Sequence, residues 1–347
     1  MEPEPPASEN KTSSGDYSKY GITNVTKYTK TTAFGKTKTF AGLHPIEWAF
    51  LVISSVNILA AIGLTLYRMI VVIQDDPGSS DFTFTLLLLI NAAFSGFYVI
   101  HGVFRERVYE LYALIAAILV VTMYCILEYA AFNVDGRTTV KLVRVVLVSV
   151  LAPPNIFLAW KVARNFGYLE FKIVGASAIL QNMYRQAAIF SCFLKMDLQA
   201  AISFVILALK EGTDLTIQEQ IILGIGIPYS LVWSVGGWIM LRRELKHASW
   251  AFAVFGLVKP AYYLYKIITV YIHIEDDPDS IEETIVYSLL AAGAIALLTW
   301  FIIMAELVIV VRNFGQGLRE KAFLQRVSER TGLLASRRAN MNSEVES

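Results

Sequence analysis

Apolar residues in this chain come in long runs separated by short polar breaks, and the pattern recurs eight times along the sequence. A hydrocarbon core of about 30 Å needs roughly 20 apolar residues in helical form. The stretches near 46–73, 82–104, 108–132, 140–163, 186–209, 217–241, 248–273 and 284–311 reach or approach that length. They predict an all-α, polytopic membrane protein with eight transmembrane helices. The fifth stretch is the weakest, because Lys195 and Asp197 interrupt it and the polar residues before it would also suit an interfacial helix. Without it the count would fall to seven.

Polar segments frame these runs. Residues 1–45 are rich in Ser, Thr, Lys and Pro and read as a disordered tail, and 312–347 form a second tail. No apolar segment follows the initiating Met, so no cleavable signal peptide is expected and the first span directs insertion. Composition agrees with the pattern. Of 347 residues, 55% are hydrophobic and 17% charged, with a mean hydropathy of +0.52, against about 25% charged in soluble domains. A formal net charge of +1 gives no reason to expect a nucleic-acid partner. The two cysteines, Cys125 and Cys192, lie in apolar runs and read as small buried hydrophobes.

Sorting charge by side adds what the net charge hides. Basic residues are retained on the cytosolic side of membrane proteins. In an eight-span arrangement the six lysines of the first tail, Arg105, Arg107, Lys161, Arg164, Lys172, Arg185, Arg242, Arg243, Lys246 and the basic residues from Arg312 onward share one side. The opposite loops hold only Arg137, Lys141 and Lys210. Both termini are therefore expected in the cytosol, where the formal glycosylation sequons at Asn10 and Asn24 would never meet lumenal enzymes. The opposite loops are short and acidic, as in Asp75-Asp76-Pro77 and Asp276-Asp277-Pro278, too small for an ectodomain.

Internal likeness is the next signal. Trp48-Ala49-Phe50, Leu66-Tyr67-Arg68 and Asp75-Asp76-Pro77 around span 1 match Trp250-Ala251-Phe252, Leu264-Tyr265-Lys266 and Asp276-Asp277-Pro278 around span 7. Span 4 ends in Arg164-Asn165-Phe166-Gly167 and span 8 in Arg312-Asn313-Phe314-Gly315. We read these as repeated two-helix units. Parallel repeats occur in transporters, with substrate held near the midplane, but also in bundles that grew by duplication alone.

Ionisable groups at membrane depth are functional candidates by default. Lys195, Asp197 and Lys259 lie deepest, and counting about 1.5 Å per residue puts Asp197 and Lys259 at similar depths, so they are expected to pair. A bland alternative sends Lys195 to the headgroups and leaves Asp197 bonded to a neighbouring helix. Glu128 and Arg144 form a second candidate pair. Glu306 and the four histidines read as interfacial, and Asn57 and Asn91 as bonds between helices. Pro153 and Pro154 should break or kink span 4 and form a site wall, with Pro228 and Pro260 loosening spans 6 and 7. No phosphate loop, dinucleotide fingerprint, zinc pair or nucleophile elbow occurs, so no enzymatic activity, cofactor or metal is expected.

The second tail begins amphipathically, from Gly317 to Val327, and suits an anionic leaflet. Next, Glu329-Arg330-Thr331-Gly332-Leu333-Leu334 resembles the acidic dileucine signal that clathrin adaptors read on endosomal and lysosomal proteins. Met183-Tyr184-Arg185-Gln186, with Phe193-Leu194-Lys195-Met196-Asp197-Leu198-Gln199, resembles a pattern in uncharacterised polytopic membrane proteins that include a fungal Golgi apparatus family. That resemblance implies no activity; it adds the Golgi as an alternative location and marks Lys195 and Asp197.

Together these features predict a multi-pass endomembrane protein, embedded in the lipid bilayer, that carries or conducts a small solute or ion. The alternative is a scaffold or trafficking protein acting through its tails. If Glu329, Leu333 and Leu334 form a sorting signal, Leu333→Ala with Leu334→Ala will shift the protein from endosomes to the cell surface. Surface biotinylation measures this, and an unchanged distribution removes the signal.

Overall fold

The computed structural model describes residues 29–32, 35–75, 80–127, 129, 139–208, 217–276 and 283–319. Two short strands, β1 (Thr29–Thr32) and β2 (Gly35–Lys38), precede α1 (Pro45–Asp75), α2 (Ser80–Arg105), α3 (Val108–Leu127), α4 (Thr139–Arg164) and α5 (Tyr168–Val174). Then come α6 (Ala178–Leu207), α7 (Ile217–Arg243), α8 (Lys246–Gly256), α9 (Val258–Asp276) and α10 (Glu283–Arg312). Among the described residues, eight helical segments are long and apolar enough to cross a membrane, the seventh being α8 and α9 together. The chain is an all-α, multi-pass membrane protein. We call the face bearing Arg105, Arg164, Arg242 and Arg312 the basic face.

Helix contacts divide the spans into two rings. In the first, α1 packs on α2, α2 on α3, α3 on α4, and α4 back on α1. In the second, α6 contacts α7, α8 links α7 to α9, and α10 closes on α6. α6 also packs on α2 and α3, so it belongs to both rings. It is the span whose sequence fitted least well, yet 50% of its apolar window is buried, against 22–33% in the other spans. A helix sheathed by protein does not need a lipid-compatible face all round, and that frees positions 195 and 197 for charge. It begins at Ala178 rather than near 186, with α5 as a short separate helix ahead of it.

Order also extends into the first tail, beyond what its composition suggested. β1 and β2 pair antiparallel with Thr29 opposite Lys38, helped by threonines that favour strands. Lys38 then bridges Glu47 at 2.8 Å and Glu106 at 2.7 Å. Burial pulls its amine down, but the two carboxylates outweigh that and hold it above the usual lysine value. The bridge therefore contributes stability at neutral pH and loses it only as pH rises past the lysine range.

The prolines depart from expectation. α4 runs unbroken from Thr139 to Arg164 through Pro153 and Pro154, both on its exposed face. Intact turns on either side hold the axis although two donors are missing. α7 likewise continues through an exposed Pro228. Span 7 does divide beside its proline, between Gly256 and Val258, with Pro260 in the first turn of α9 where its absent N–H is least costly.

The second ring is filled tightly. A Cβ on Gly237 would stand 2.6 Å from Phe252 Cε2 and 3.1 Å from Leu194 Cδ2, whereas one on Gly63 meets nothing within 4 Å. Gly237→Ala should cost about 1–3 kcal/mol, while Gly63→Ala should cost nothing. Thermal unfolding in detergent distinguishes the two.

Candidate functional site

Residues two apart on a helix face away from each other, and α6 uses this. Asp197 is fully buried and turns into the second ring, where Lys259 Nζ, from the first turn of α9, donates to its Oδ2. Lys259 also stands 4.3 Å above the Trp233 ring, itself stacked on Phe252 at 4.2 Å. Lys195 turns the other way and donates to Glu110 Oε1 at the start of α3. His101 Nδ1, from α2, lies 2.5 Å from Glu110 Oε2 and 3.5 Å from Lys195 Nζ. Lys195 therefore bonds within the protein rather than reaching for headgroups, and His101, although partly exposed near the end of α2, is held by the same carboxylate.

Asp197 and Lys259 sit where span 7 divides, and the freed backbone there is covered by side chains. Pro260 has no N–H for Gly256 O, and Trp300 Nε1 donates to that carbonyl at 2.8 Å. Trp233 Nε1 donates to Phe252 O at 3.1 Å and Tyr229 Oη to Phe255 O at 2.5 Å. Lys259 is 3% exposed, so protein closely encloses the pair.

Open space at membrane depth lies in the first ring instead, while a pocket of about 430 Å³ opens between α6 and α10 near Arg312 at the basic face. A cavity of about 170 Å³ is lined by Asn57, Asn91, Ser95, Thr122, Arg144 and Asn155 among apolar walls that include Cys125. Asn155 accepts from Ser54 Oγ at 2.7 Å and Thr122 donates to Ile118 O at 2.7 Å. Asn91 donates to Leu87 O at 2.8 Å, while the buried Nδ2 of Asn57 has no partner among the described residues. Arg144 thus lines the cavity; its expected partner Glu128 lies outside the described residues, as do Glu329, Leu333 and Leu334. Pro153 and Pro154 form no part of the wall, although their neighbours Ala152 and Asn155 do. Glu306 is half-buried, with Oε2 enclosed and unpartnered rather than solvated.

A second pair of sites went unnoticed in the sequence. Glu106 and Glu244 follow the ends of α2 and α7 with positive φ, 49° and 51°. The next residue in each case bonds back five positions, Arg107 N to Gly102 O at 2.8 Å and Leu245 N to Met240 O at 3.2 Å. Glycine usually fills that left-handed position. Here glutamate does, and its carboxylate has work there. Glu106 Oε2 accepts from Gly167 N at 3.4 Å and Leu169 N at 2.7 Å. Glu244 accepts from Gly315 N and Arg319 N, both at 2.8 Å. The signal was the Arg-Glu pair at 105–106 and 243–244, each upstream of an Arg-Asn-Phe-Gly turn.

Removing one member of the buried pair leaves an uncompensated charge. Lys259→Met or Asp197→Leu alone should cost about 3–5 kcal/mol, and the double variant distinctly less than their sum. Equilibrium denaturation in detergent reads the cycle; additive losses would exclude the pairing.

No curated protein and no solved structure matches this chain. The sequence profile of one family matches residues 34–164 and 174–309, which covers each ring in turn. The chain accordingly belongs to the family described as a domain of unknown function, DUF7789.

Proposed function

We propose that this multi-pass protein is a carrier for a small amphipathic solute, bound in the cavity of the first ring. The observation that carries the reading is the cavity itself, about 170 Å³ among α1–α4, with convergent polar groups on apolar walls. Asn57 lies about 18 Å along α1 from Pro45, well inside the bilayer. An engineered cavity of roughly this size takes up a benzene-sized molecule. The Asn57 amide nitrogen and the Arg144 guanidinium are donors, which favours a solute bearing acceptor oxygens. The enclosed Asp197–Lys259 pair suits a fixed body in the second ring better than a substrate site.

Two four-helix units, spans 1–4 and 5–8, account for the internal likeness better than two-helix units. The profile matches both halves, and each half closes a glutamate onto its own Arg-Asn-Phe-Gly turn. Four is even, so the halves run parallel, an arrangement known among carriers. The basic face is taken as cytosolic and the location as endosomal or lysosomal, with the Golgi as alternative.

Proteoliposomes containing purified protein, offered radiolabelled short-chain alkyl sulfonates, test the reading. Uptake above protein-free vesicles is expected, and Asn57→Leu should lower it about tenfold. Asp197→Leu with Lys259→Met should leave it near normal. Uptake that ignores Asn57→Leu places the route outside this cavity; no uptake removes the carrier.

A further inference from the structure

α2 carries a polar file along one face. Asn91, Ser95, Tyr98, His101 and Arg105 follow at spacings of three and four, so they stack on one side of the helix. Asn91 and Ser95 line the cavity. One step nearer the basic face, Gln199 of α6 donates to Asn91 Oδ1 at 2.6 Å and accepts from Tyr98 Oη at 3.1 Å. One further turn on stands the Glu110–His101–Lys195 cluster, Lys195 being four residues before Gln199 on α6. Hydrogen-bonded side chains thus run from the cavity to Tyr98, one turn of α2 short of a titratable cluster near the basic face, along the seam between the two rings.

The cluster is built to meet a proton. Glu110 is 3% exposed, but the side chains of His101 and Lys195 are 23% and 21% exposed, so the carboxylate is enclosed while its two partners touch the outside. From α2, Glu110 is faced by His101 and, at longer range, Tyr98; from α6 it is faced by Lys195 and Cys192. Arg107 acts on Lys195 and Arg105 on His101, so the surroundings are strongly positive. Histidine is the side chain whose charge ordinarily changes between about pH 5 and pH 8.

We propose that Glu110, His101 and Lys195 form a proton-binding site that controls access to the cavity, coupling solute movement to a proton. The proposal rests on the carrier reading for its purpose. With Glu110 ionised, Lys195 and His101 both hold it, and α2, α3 and α6 are clamped together. A proton entering from the basic face and settling on His101 sets a second cation beside the Lys195 amine, which lies 3.5 Å from His101 Nδ1, and the two compete for Glu110. The clamp opens, and Tyr98, Gln199 and Asn91 carry the shift one turn at a time to the cavity wall. Loss of the proton to the same face restores the clamp.

Cys125 lines the cavity and is 2% exposed, so its thiol reports on access. With Cys192→Ala it is the single thiol in the chain. Its rate of modification by methyl methanethiosulfonate in proteoliposomes would be followed from about pH 5 to pH 8. Comparison with Glu110→Gln in the same background cancels the thiol's own titration. The wild-type to variant rate ratio should change about fivefold or more across that range. His101→Gln should flatten the profile as well, and it carries the test if Glu110→Gln fails to fold. Tyr98→Phe should keep the cluster but weaken its effect on Cys125, which a purely structural cluster would not predict.

A ratio that stays flat with pH for both Glu110→Gln and His101→Gln overturns the coupling. Since thiol modification needs no solute, the two ideas fail separately. Sulfonate uptake with a flat ratio removes only the proton site. A pH-dependent ratio without uptake retains the proton-controlled cavity and removes the carrier.

Discussion

A charge in hydrocarbon must find its counter-charge before a helix bundle can close around it, and in this protein the requirement falls on α6. Asp197 and Lys195, two residues apart, face opposite ways, so one helix carries one demand into each ring. Meeting them commits α9 to one side and α2 with α3 to the other. Isolated ions in the bilayer cost several kcal/mol, which makes misplacement of any of these helices expensive. The pairs contribute uniqueness of arrangement more than net stability, since apolar residues of similar size would serve as well energetically.

The same demand explains the contrast between the rings. The second is filled with aromatic side chains around its ion pair, and a Cβ on Gly293 would come within 2.8 Å of Ile267. Its divided span tolerates exposed carbonyls only because Trp233, Tyr229 and Trp300 donate to them. The first has no such centre. Its polar residues are spread along the walls, and space is left between them.

Much of this was legible in the sequence. Hydropathy located the eight spans, most of them within a few residues although α6 begins eight residues before the expected 186, because lipid demands long apolar runs wherever a helix meets it. Depth counted along the chain brought Asp197 and Lys259 together, since both lie on uninterrupted stretches measured from the same face. Other features depend on which face of a helix meets which neighbour, and hydropathy is silent about that. The charges of α6 counted against a span when judged alone; they reflect its central place. His101 looked interfacial because it lies near a helix end, and Glu110 carried no signal at all, yet Lys195 of α6 reaches both. Pro153 and Pro154 pointed to a wall, but the helix turns them outward. The glutamates at 106 and 244 hide in a position where glycine is the usual sign, and only their backbone angles reveal them.

The two glutamate turns bear on how the chain is made. Each closes onto residues of its own half, Glu106 onto a turn 61 to 63 positions later and Glu244 onto one 71 to 75 positions later. A ribosome delivering the chain from its N-terminus therefore releases a first half that can fasten itself before α6 has emerged. That early half is complete in its backbone but not in its charge. Until α6 arrives, Glu110 and His101 lack Lys195 while Asn91 and Tyr98 lack Gln199, so the half-made protein carries a polar edge along α2 that marks where the next span must dock.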